Sequence, residues 1–276
     1  MKTLYVSDLD GTLLNSSQQI TPFTASVIAE LLRKGGCFSY ATARSLITAG
    51  AVTKELDLPF PAILYNGVFI RDTQSGEYLA RHTFESGRIL TLIDTLSKKG
   101  LWPIVYSVID GVEKFSYITE RLTPEQSHFV STRDRADPRL REVSTTEELC
   151  MGEIFYLAYL GSKEQLSPLD SLCEGYGIHL FQHDTYDDFY WLEVMPQAAT
   201  KANAAKELAK MLGCGRIVAF GDGLNDAELF SAADECYAVG NACEELKLKA
   251  DAVIGSNDSD GVAHWIYENV LTKGDF

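Results

Sequence analysis

The chain has 276 residues, longer than one average domain and comfortable for two. Hydrophobic residues make up 46% and charged residues 23%, ordinary globular usage that excludes a wholly disordered chain. Thirty-nine Asp and Glu against 24 Lys and Arg leave a net charge of −15 with no basic patch, so no nucleic-acid partner is expected.

In chain order, Leu4 to Val6 is a short apolar run that reads as a buried strand, followed by a helical pattern from Thr24 to Lys34 that Gly35-Gly36 closes. Cys37 to Ala41 and Ala62 to Tyr65 read as further strands. Val68 to Arg71 with Glu77 to Ala80 reads as a hairpin. Phe84 to Lys99 is helical, Leu101 to Val108 and Glu113 to Ile118 are paired strands, and Thr123-Pro124-Glu125-Gln126 carries a helix N-cap signature. Ile154 to Leu160 is a strand, Ser162 opens a capped helix, and Ile178 to Phe181 and Phe189 to Val194 return as strands. A helix from Lys201 to Leu212 then leads into strands at Ile217 to Phe220, Cys236 to Val239 and Ala252 to Ile254. Strand, helix, strand in repetition at both ends predicts an α/β core with a mostly parallel sheet, interrupted by an α+β insertion. The expected division is 1–81 plus 191–276 for the core and 82–190 for the insertion.

Asp8 and Asp10 arrive before a signal-peptide apolar region can form, and no uncharged run approaches the ~18 residues of a membrane span. A soluble cytoplasmic protein with no membrane partner is expected. Its six scattered cysteines, with no C-x-x-C pair, read as reduced thiols.

The chemistry-bearing residues follow strands. Leu4–Val6 runs into Asp8-Leu9-Asp10-Gly11-Thr12, and Ile217–Phe220 into Gly221-Asp222-Gly223-Leu224-Asn225-Asp226. Cys37–Ala41 ends at Thr42-Ala43-Arg44. In an open parallel sheet the ligand crevice lies beyond the carboxyl ends of strands, so these turns are expected to share one crevice. Clustered carboxylates repel and cost several kcal/mol to desolvate unless a cation neutralises them. Oxygen ligands without His or Cys suit Mg²⁺, which accepts one or two carboxylates plus a substrate phosphate.

Asp8-Leu9-Asp10-Gly11-Thr12, Thr42, Lys201 and Gly221 to Asp226 together resemble the four motifs of the haloacid dehalogenase superfamily. The insertion resembles the type IIB cap of its Cof-like sugar-phosphatase branch. The resemblance covers essentially the whole chain and implies a Rossmann-like core with an inserted α+β cap closing over the leaving group. It implies Asp8 as the nucleophile that forms an aspartyl-phosphate, and Asp10 as the acid and base for leaving group and water. Mg²⁺ would be held by Asp8, the backbone carbonyl of Asp10, and Asp222. Thr42, Lys201 and Asn225 would contact the phosphoryl group, with Asp226 behind the metal site or orienting Lys201. A period-2 reading of an extended chain puts the Asp8 and Asp10 carboxylates on one side. One departure is the segment Met195 to Lys201, with Ala where relatives often place Gly and a β-branched residue.

Other residues stay open. Asn66-Gly67 reads equally as a substrate contact and as a tight turn. Arg44 either senses substrate charge or pairs with a core carboxylate. In the insertion, the polar run His183 to Asp188 reads as a solvated loop before a leaving-group selector, and Tyr156, Tyr159 and Tyr190-Trp191 as sheet packing before a sugar platform. The expected activity is Mg²⁺-dependent hydrolysis of a small phosphorylated metabolite, with a sugar phosphate as the expected substrate class. The alternatives are a sugar phosphomutase of the same fold and a non-catalytic metabolite-binding regulator.

Overall fold

The computed structural model describes residues 2–56, 61–173, 175–183 and 188–274. Two compact units emerge, one formed by Met1–Arg81 with Ala198–Phe276 and the other by His82–Gln197. The first begins with β1 (Thr3–Ser7), α1 (Pro22–Arg33), β2 (Cys37–Tyr40) and α2 (Leu46–Thr53), then β3 (Ala62–Leu64), β4 (Phe69–Arg71) and β5 (Tyr78–Arg81). The second comprises α3 (Ser86–Ser97), β6 (Ile104–Ile109), β7 (Val112–Tyr117), α4 (Pro124–Ser131), β8 (Leu140–Glu142), α5 (Thr146–Leu149), β9 (Glu153–Gly161), α6 (Lys163–Cys173), β10 (Ile178–His183) and β11 (Tyr190–Met195). The chain returns to the first unit as α7 (Lys201–Met211), β12 (Arg216–Gly221), α8 (Ala227–Ala232), β13 (Glu235–Ala238), α9 (Glu244–Lys247), β14 (Ala252–Val253) and α10 (Gly261–Ile266).

The first unit is built on a parallel sheet in the order β14-β13-β12-β1-β2. β1 lies inside it between β12 and β2, and Leu4 and Val6 are fully buried, as strands covered on both faces require. Ser7 is level with Phe220 on one side and Tyr40 on the other. Asp8 N donates to Phe220 O at 3.0 Å and Ala41 N to Ser7 O at 2.9 Å, so three strands finish at one height. A parallel bridge from Ala41 to Ile63 carries β3 alongside, and β3-β4-β5 form a small antiparallel sheet. Helix starts are locally specified: the Thr21 side chain accepts from Thr24 N before Pro22, and Thr200 accepts from Asn203 N at the head of α7.

The second unit holds a six-stranded sheet, β10-β11-β9-β6-β7-β8, antiparallel except for β7 with β8. Helices α3 and α6 cover one face, with Ile93, Leu96, Leu157, Leu169, Leu192 and Val194 in their shared core. Thr123 and Gln126 form the reciprocal cap that the sequence predicts for α4, at 3.0 and 3.1 Å.

Several differences from the sequence reading have physical causes. The return to the first unit falls at 197/198, because β11 pairs with β9 and β10 and so keeps 191–195 in the second unit, away from the expected boundary at 191. β6 starts at Ile104 and not at Leu101, directly after Pro103, which has no amide to offer a ladder. Helix α2 escapes the pattern because its residues, with three Thr and Val positions and a Gly, have poor helix propensity; a Ser45–Thr48 capping box starts it. β8 and α5 are three and four residues long, too short for periodicity to register. Among the described residues no helix is long and apolar enough to cross a membrane, and none of the six cysteines is in a disulfide.

Alternation along β11 sends Leu192 and Val194 into the core and Glu193 to the opposite face, where the Tyr156 hydroxyl donates to it. Glu193 is 8% exposed, and burial pushes its carboxyl from 4.5 up to about 7 despite that hydrogen bond. Such a group holds its proton more tightly in the folded state, so folding loses stability as pH rises from about 4.5 through 7, by about 3 kcal/mol in full. Glu193→Gln is expected to remove that loss. Urea midpoints of variant and parent should diverge between pH 5 and 8 in the variant's favour, and parallel curves would refute the assignment.

Candidate active site

Beyond Ser7 the chain leaves the sheet. Asp8 is the last extended residue (φ −60°, ψ 160°), and Leu9 to Leu13 form a wound turn that is broken at Asp10 (ψ 124°) and Gly11 (φ +75°). A Cβ on Gly11 would stand 2.5 Å from Asp222 Oδ2, so glycine alone satisfies both the backbone and the space. Thr12 Oγ1 donates to Asp222 Oδ1 at 2.9 Å, and Asn241 Nδ2 donates to Gly11 O at 2.7 Å. The turn after β1 is thereby fastened to the turns after β12 and β13.

Lys201, at the first position of α7, donates to both Asp8 Oδ1 and Asp226 Oδ1, the latter at 2.7 Å. All three are buried, at 3%, 6% and 0% exposure. The other Asp226 oxygen accepts from Asp222 N at 3.1 Å and Gly223 N at 3.3 Å. Both Asp226 oxygens are therefore committed within the protein. Asp8 Oδ2 and Asp222 Oδ2 accept no hydrogen bond among the described residues.

The charges do not balance. Asp8, Asp222 and Asp226 each bring a carboxylate oxygen within 4.8 Å of the others, against one ammonium. Burial drives the Asp8 carboxyl well above the ordinary range; Lys201 opposes this, while Asp226 and Asp222 add to it. Burial and Asp226 likewise push Asp222 up to about 6, against the Thr12 hydrogen bond and Lys201. Burial alone would loosen the Lys201 proton, but Asp226 and Asp8 outweigh it and raise its affinity above the ordinary lysine value. A site of carboxylate oxygens with uncompensated charge and no His or Cys fits a hard divalent cation such as Mg²⁺, with Asp8 and Asp222 supplying the uncommitted oxygens.

Thr42 and Asn66 follow the ends of β2 and β3. Thr42 N donates to Ile63 O at 3.0 Å, and Asn66 N donates to Thr42 O at 2.9 Å. Thr42 Oγ1 accepts from Arg44 N at 3.2 Å, and among the described residues its own proton has no acceptor. Asn66-Gly67 does close a hairpin, between β3 and β4, and not the one from Val68 to Ala80, whose turn runs through Asp72–Gly76. Gly67 (φ +106°) also lies so close to the Thr200 carbonyl and Lys201 N that a Cβ there would collide with that backbone. Asn66 is buried in the left-handed region (φ 55°), and its Oδ1 has no hydrogen-bond partner among the described residues. Asn225 is exposed on the turn Leu224–Asp226.

Asp10 differs from the period-2 reading. The chain is wound from Leu9 onward, so the Asp10 carboxylate lies outside the group formed by Asp8, Asp222 and Asp226. It is paired with Arg44 instead, at 2.6 Å. Sequence reasoning also missed Asn241. Its signal was there in weak form, a polar residue in a small-residue loop after another parallel strand, Glu235–Ala238. In the second unit, Asp184 to Asp187 lie outside the described residues; His183 Nε2 is 3.3 Å from Asp188 Oδ1. Tyr159 belongs to the hydrophobic core.

A family model for haloacid dehalogenase-like hydrolases matches residues 5–266. The chain is 28% identical to the phosphatase YwpJ of Bacillus subtilis, over 95% of this chain and 97% of that protein. It is 24% identical to the pyridoxal phosphate phosphatase YbhA of Escherichia coli (96% and 97%). It is 26% identical to the 5-amino-6-(5-phospho-D-ribitylamino)uracil phosphatase YitU of Bacillus subtilis (96% of each). The crystal structure of TM0651 from Thermotoga maritima superposes with a TM-score of 0.76 at 25% identity, covering 98% of both chains.

Removing the ammonium would orphan two buried carboxylates. Lys201→Met is expected to cost about 3–5 kcal/mol of stability in urea with chelator present. Adding Asp226→Asn should recover part of that loss by removing one orphaned charge. An unshifted midpoint for Lys201→Met would refute the charge account.

Proposed function

The chain belongs to the haloacid dehalogenase-like hydrolases, and from there we propose that it is a Mg²⁺-dependent phosphatase that cleaves phosphate monoesters of small metabolites through an aspartyl-phosphate on Asp8. The observation that carries this reading is a set of unspent groups, two buried donors and a carboxylate oxygen, supplied by the ends of neighbouring strands and the start of α7. The Thr42 hydroxyl proton and the third Lys201 ammonium proton have no acceptor among the described residues, and Asp8 Oδ2 accepts nothing. Buried donors without partners are costly, and phosphoryl oxygens would satisfy them.

In this reading the Asp8 carboxylate attacks phosphorus, and the bond from phosphorus to the ester oxygen breaks. Asp10 gives that oxygen a proton as it leaves. Asp10 then takes a proton from water, whose oxygen attacks the phosphorus of the acyl phosphate and frees Asp8. Lys201 and Thr42 hold the equatorial oxygens where charge collects, and being already fixed they need no reorganisation. Asp226 keeps Lys201 in place and anchors the Asp222 turn through two amides. When bound between Asp8, the Asp10 carbonyl and Asp222, Mg²⁺ would lower the repulsion between a carboxylate and a phosphate dianion.

For substrate we favour a sugar phosphate. The relatives' named substrates, pyridoxal phosphate and a phosphoribityl compound, are both primary alkyl phosphates of small polar molecules, which supports that class. We assign choice of the leaving group to the second unit.

The test is release of inorganic phosphate from a panel of sugar phosphates, phosphorylated cofactors and an aryl phosphate. Turnover is expected with Mg²⁺ and not with chelator. Asp8→Asn is expected to lower it by more than about 10³-fold with an unchanged melting profile. Parental turnover by Asp8→Asn would end the nucleophile assignment, and isomerised sugar phosphate in place of free phosphate would make the protein a mutase.

A further inference from the structure

The Arg44 guanidinium is committed inside the protein. Its Nε donates to Asp10 Oδ2 at 2.8 Å and its Nη2 to Asp10 Oδ1 at 2.6 Å, a two-point grip on one carboxylate. Nη2 also donates to Gln18 Oε1 at 2.9 Å, and Nη1 donates to the Thr48 carbonyl at 3.4 Å. Each of its three nitrogens thus has a protein acceptor. An arginine kept for reading a substrate anion would hold its fork open, and this one does not.

The backbone around the grip is equally fixed. Arg44 N donates to Thr42 Oγ1, and Arg44 O accepts from Tyr65 N at 3.2 Å. Gln18 sits at φ +55°, a region a glutamine enters only when its surroundings hold it, in a turn closed by Gln18 N to Asn15 O at 2.8 Å. The guanidinium is therefore braced from α2, from the turn after β2 and from the loop preceding α1.

Stability does not explain the arrangement. The side chains of Asp10 and Arg44 are 46% and 21% exposed, and a pair that wet contributes little to folding. Geometry does explain it. Asp10 stands on a wound turn, outside the buried carboxylate group, where an ungripped side chain would sample several rotamers. A proton donor must lie within hydrogen-bond reach of the departing oxygen, and a displacement of about 1 Å can cost ~100-fold in rate.

Resting on the reading of Asp10 as the proton donor, we propose that Arg44 is the positioning residue of Asp10, fixing its carboxylate at the rim of the site, and does not bind substrate. Arg44 then matters most where the leaving oxygen needs a proton. An alkoxide from a sugar phosphate needs one; a nitrophenolate does not.

The experiment compares kcat and KM on an alkyl phosphate and on p-nitrophenyl phosphate for the Mg²⁺-loaded parent, Arg44→Met, Arg44→Lys, Asp10→Asn and the Arg44→Met/Asp10→Asn double variant. Arg44→Met is expected to lower the ratio of alkyl to aryl kcat by ~10- to 100-fold while KM moves less than about threefold. Arg44→Lys, which keeps the charge without the two-point grip, should recover only part of the ratio. In the Asp10→Asn background, Arg44→Met should change either rate by less than about threefold, because the two residues act as one device. A rise in KM at constant kcat, or effects that multiply in the double variant, would overturn the proposal and return Arg44 to substrate binding. A parental ratio in Asp10→Asn alone would instead remove the acid from Asp10, and the positioning role with it. Should Arg44→Met fail to fold, Arg44→Lys and Gln18→Leu carry the same comparison, since each loosens the grip without removing the charge; a parental ratio in both overturns it.

Discussion

A single buried ammonium organises this molecule. Lys201 is 3% exposed and lies against two carboxylates 193 and 25 residues away in sequence. A lysine so enclosed holds its proton more tightly than an exposed one because Asp226 and Asp8 face it and outweigh its burial. Such a group tolerates no loose packing. This accounts for the Cβ-less approach of Gly67 to the Thr200 backbone, which fixes the start of α7 and with it the origin of the lysine. It accounts too for Asp226, whose second oxygen holds two amides of the Asp222 turn.

The parallel sheet is what makes that convergence inexpensive. Strands that run in one direction end at one edge, so residues placed just after β1, β2, β3, β12 and β13 become neighbours without any long-range instruction beyond strand order. The register sharpens this. Ser7 is level with both Phe220 and Tyr40, so Asp8 and Ala41 leave β1 and β2 at the height of Gly221, the last residue of β12. Each turn then needs only one or two local contacts to aim its side chain: Thr12 on Asp222, Asn241 on Gly11, and Arg44 N on Thr42.

This division explains what could be read in advance. Short buried strands followed at once by Asp-rich turns are visible as sequence, because each rests on a local pattern, and Asp8, Asp222 and Asp226 do meet. The orientation of Asp10 was not legible. A period-2 argument assumes an extended chain, and whether the chain stays extended past a strand end depends on Gly11 and on Asp222, which lies 211 residues further on. The partner of Arg44 was hidden for the same reason: its choice between ligand and carboxylate is set by a turn geometry that no local window contains. The boundary near 191 failed differently. An apolar run such as Tyr190 to Met195 suits either sheet equally, and only its pairing with β9 and β10 decides. Asn241 shows the limit of motif reading, since a residue that holds a backbone carbonyl has no chemical type to announce it.

The two units also differ in what their cores ask of sequence. In the first, buried charge is concentrated in a few residues whose identities are coupled: changing Lys201 changes the cost of Asp8 and Asp226, and changing Gly11 moves Asp222. In the second, a contiguous hydrophobic cluster between α3, α6 and the sheet carries the fold, and polar residues on its strands, Glu193 and Tyr156 among them, are coupled to each other and not to that cluster. Hydrophobic cores accept substitution wherever volume is kept; coupled buried charges do not. Variation is therefore cheaper in the second unit than around Lys201.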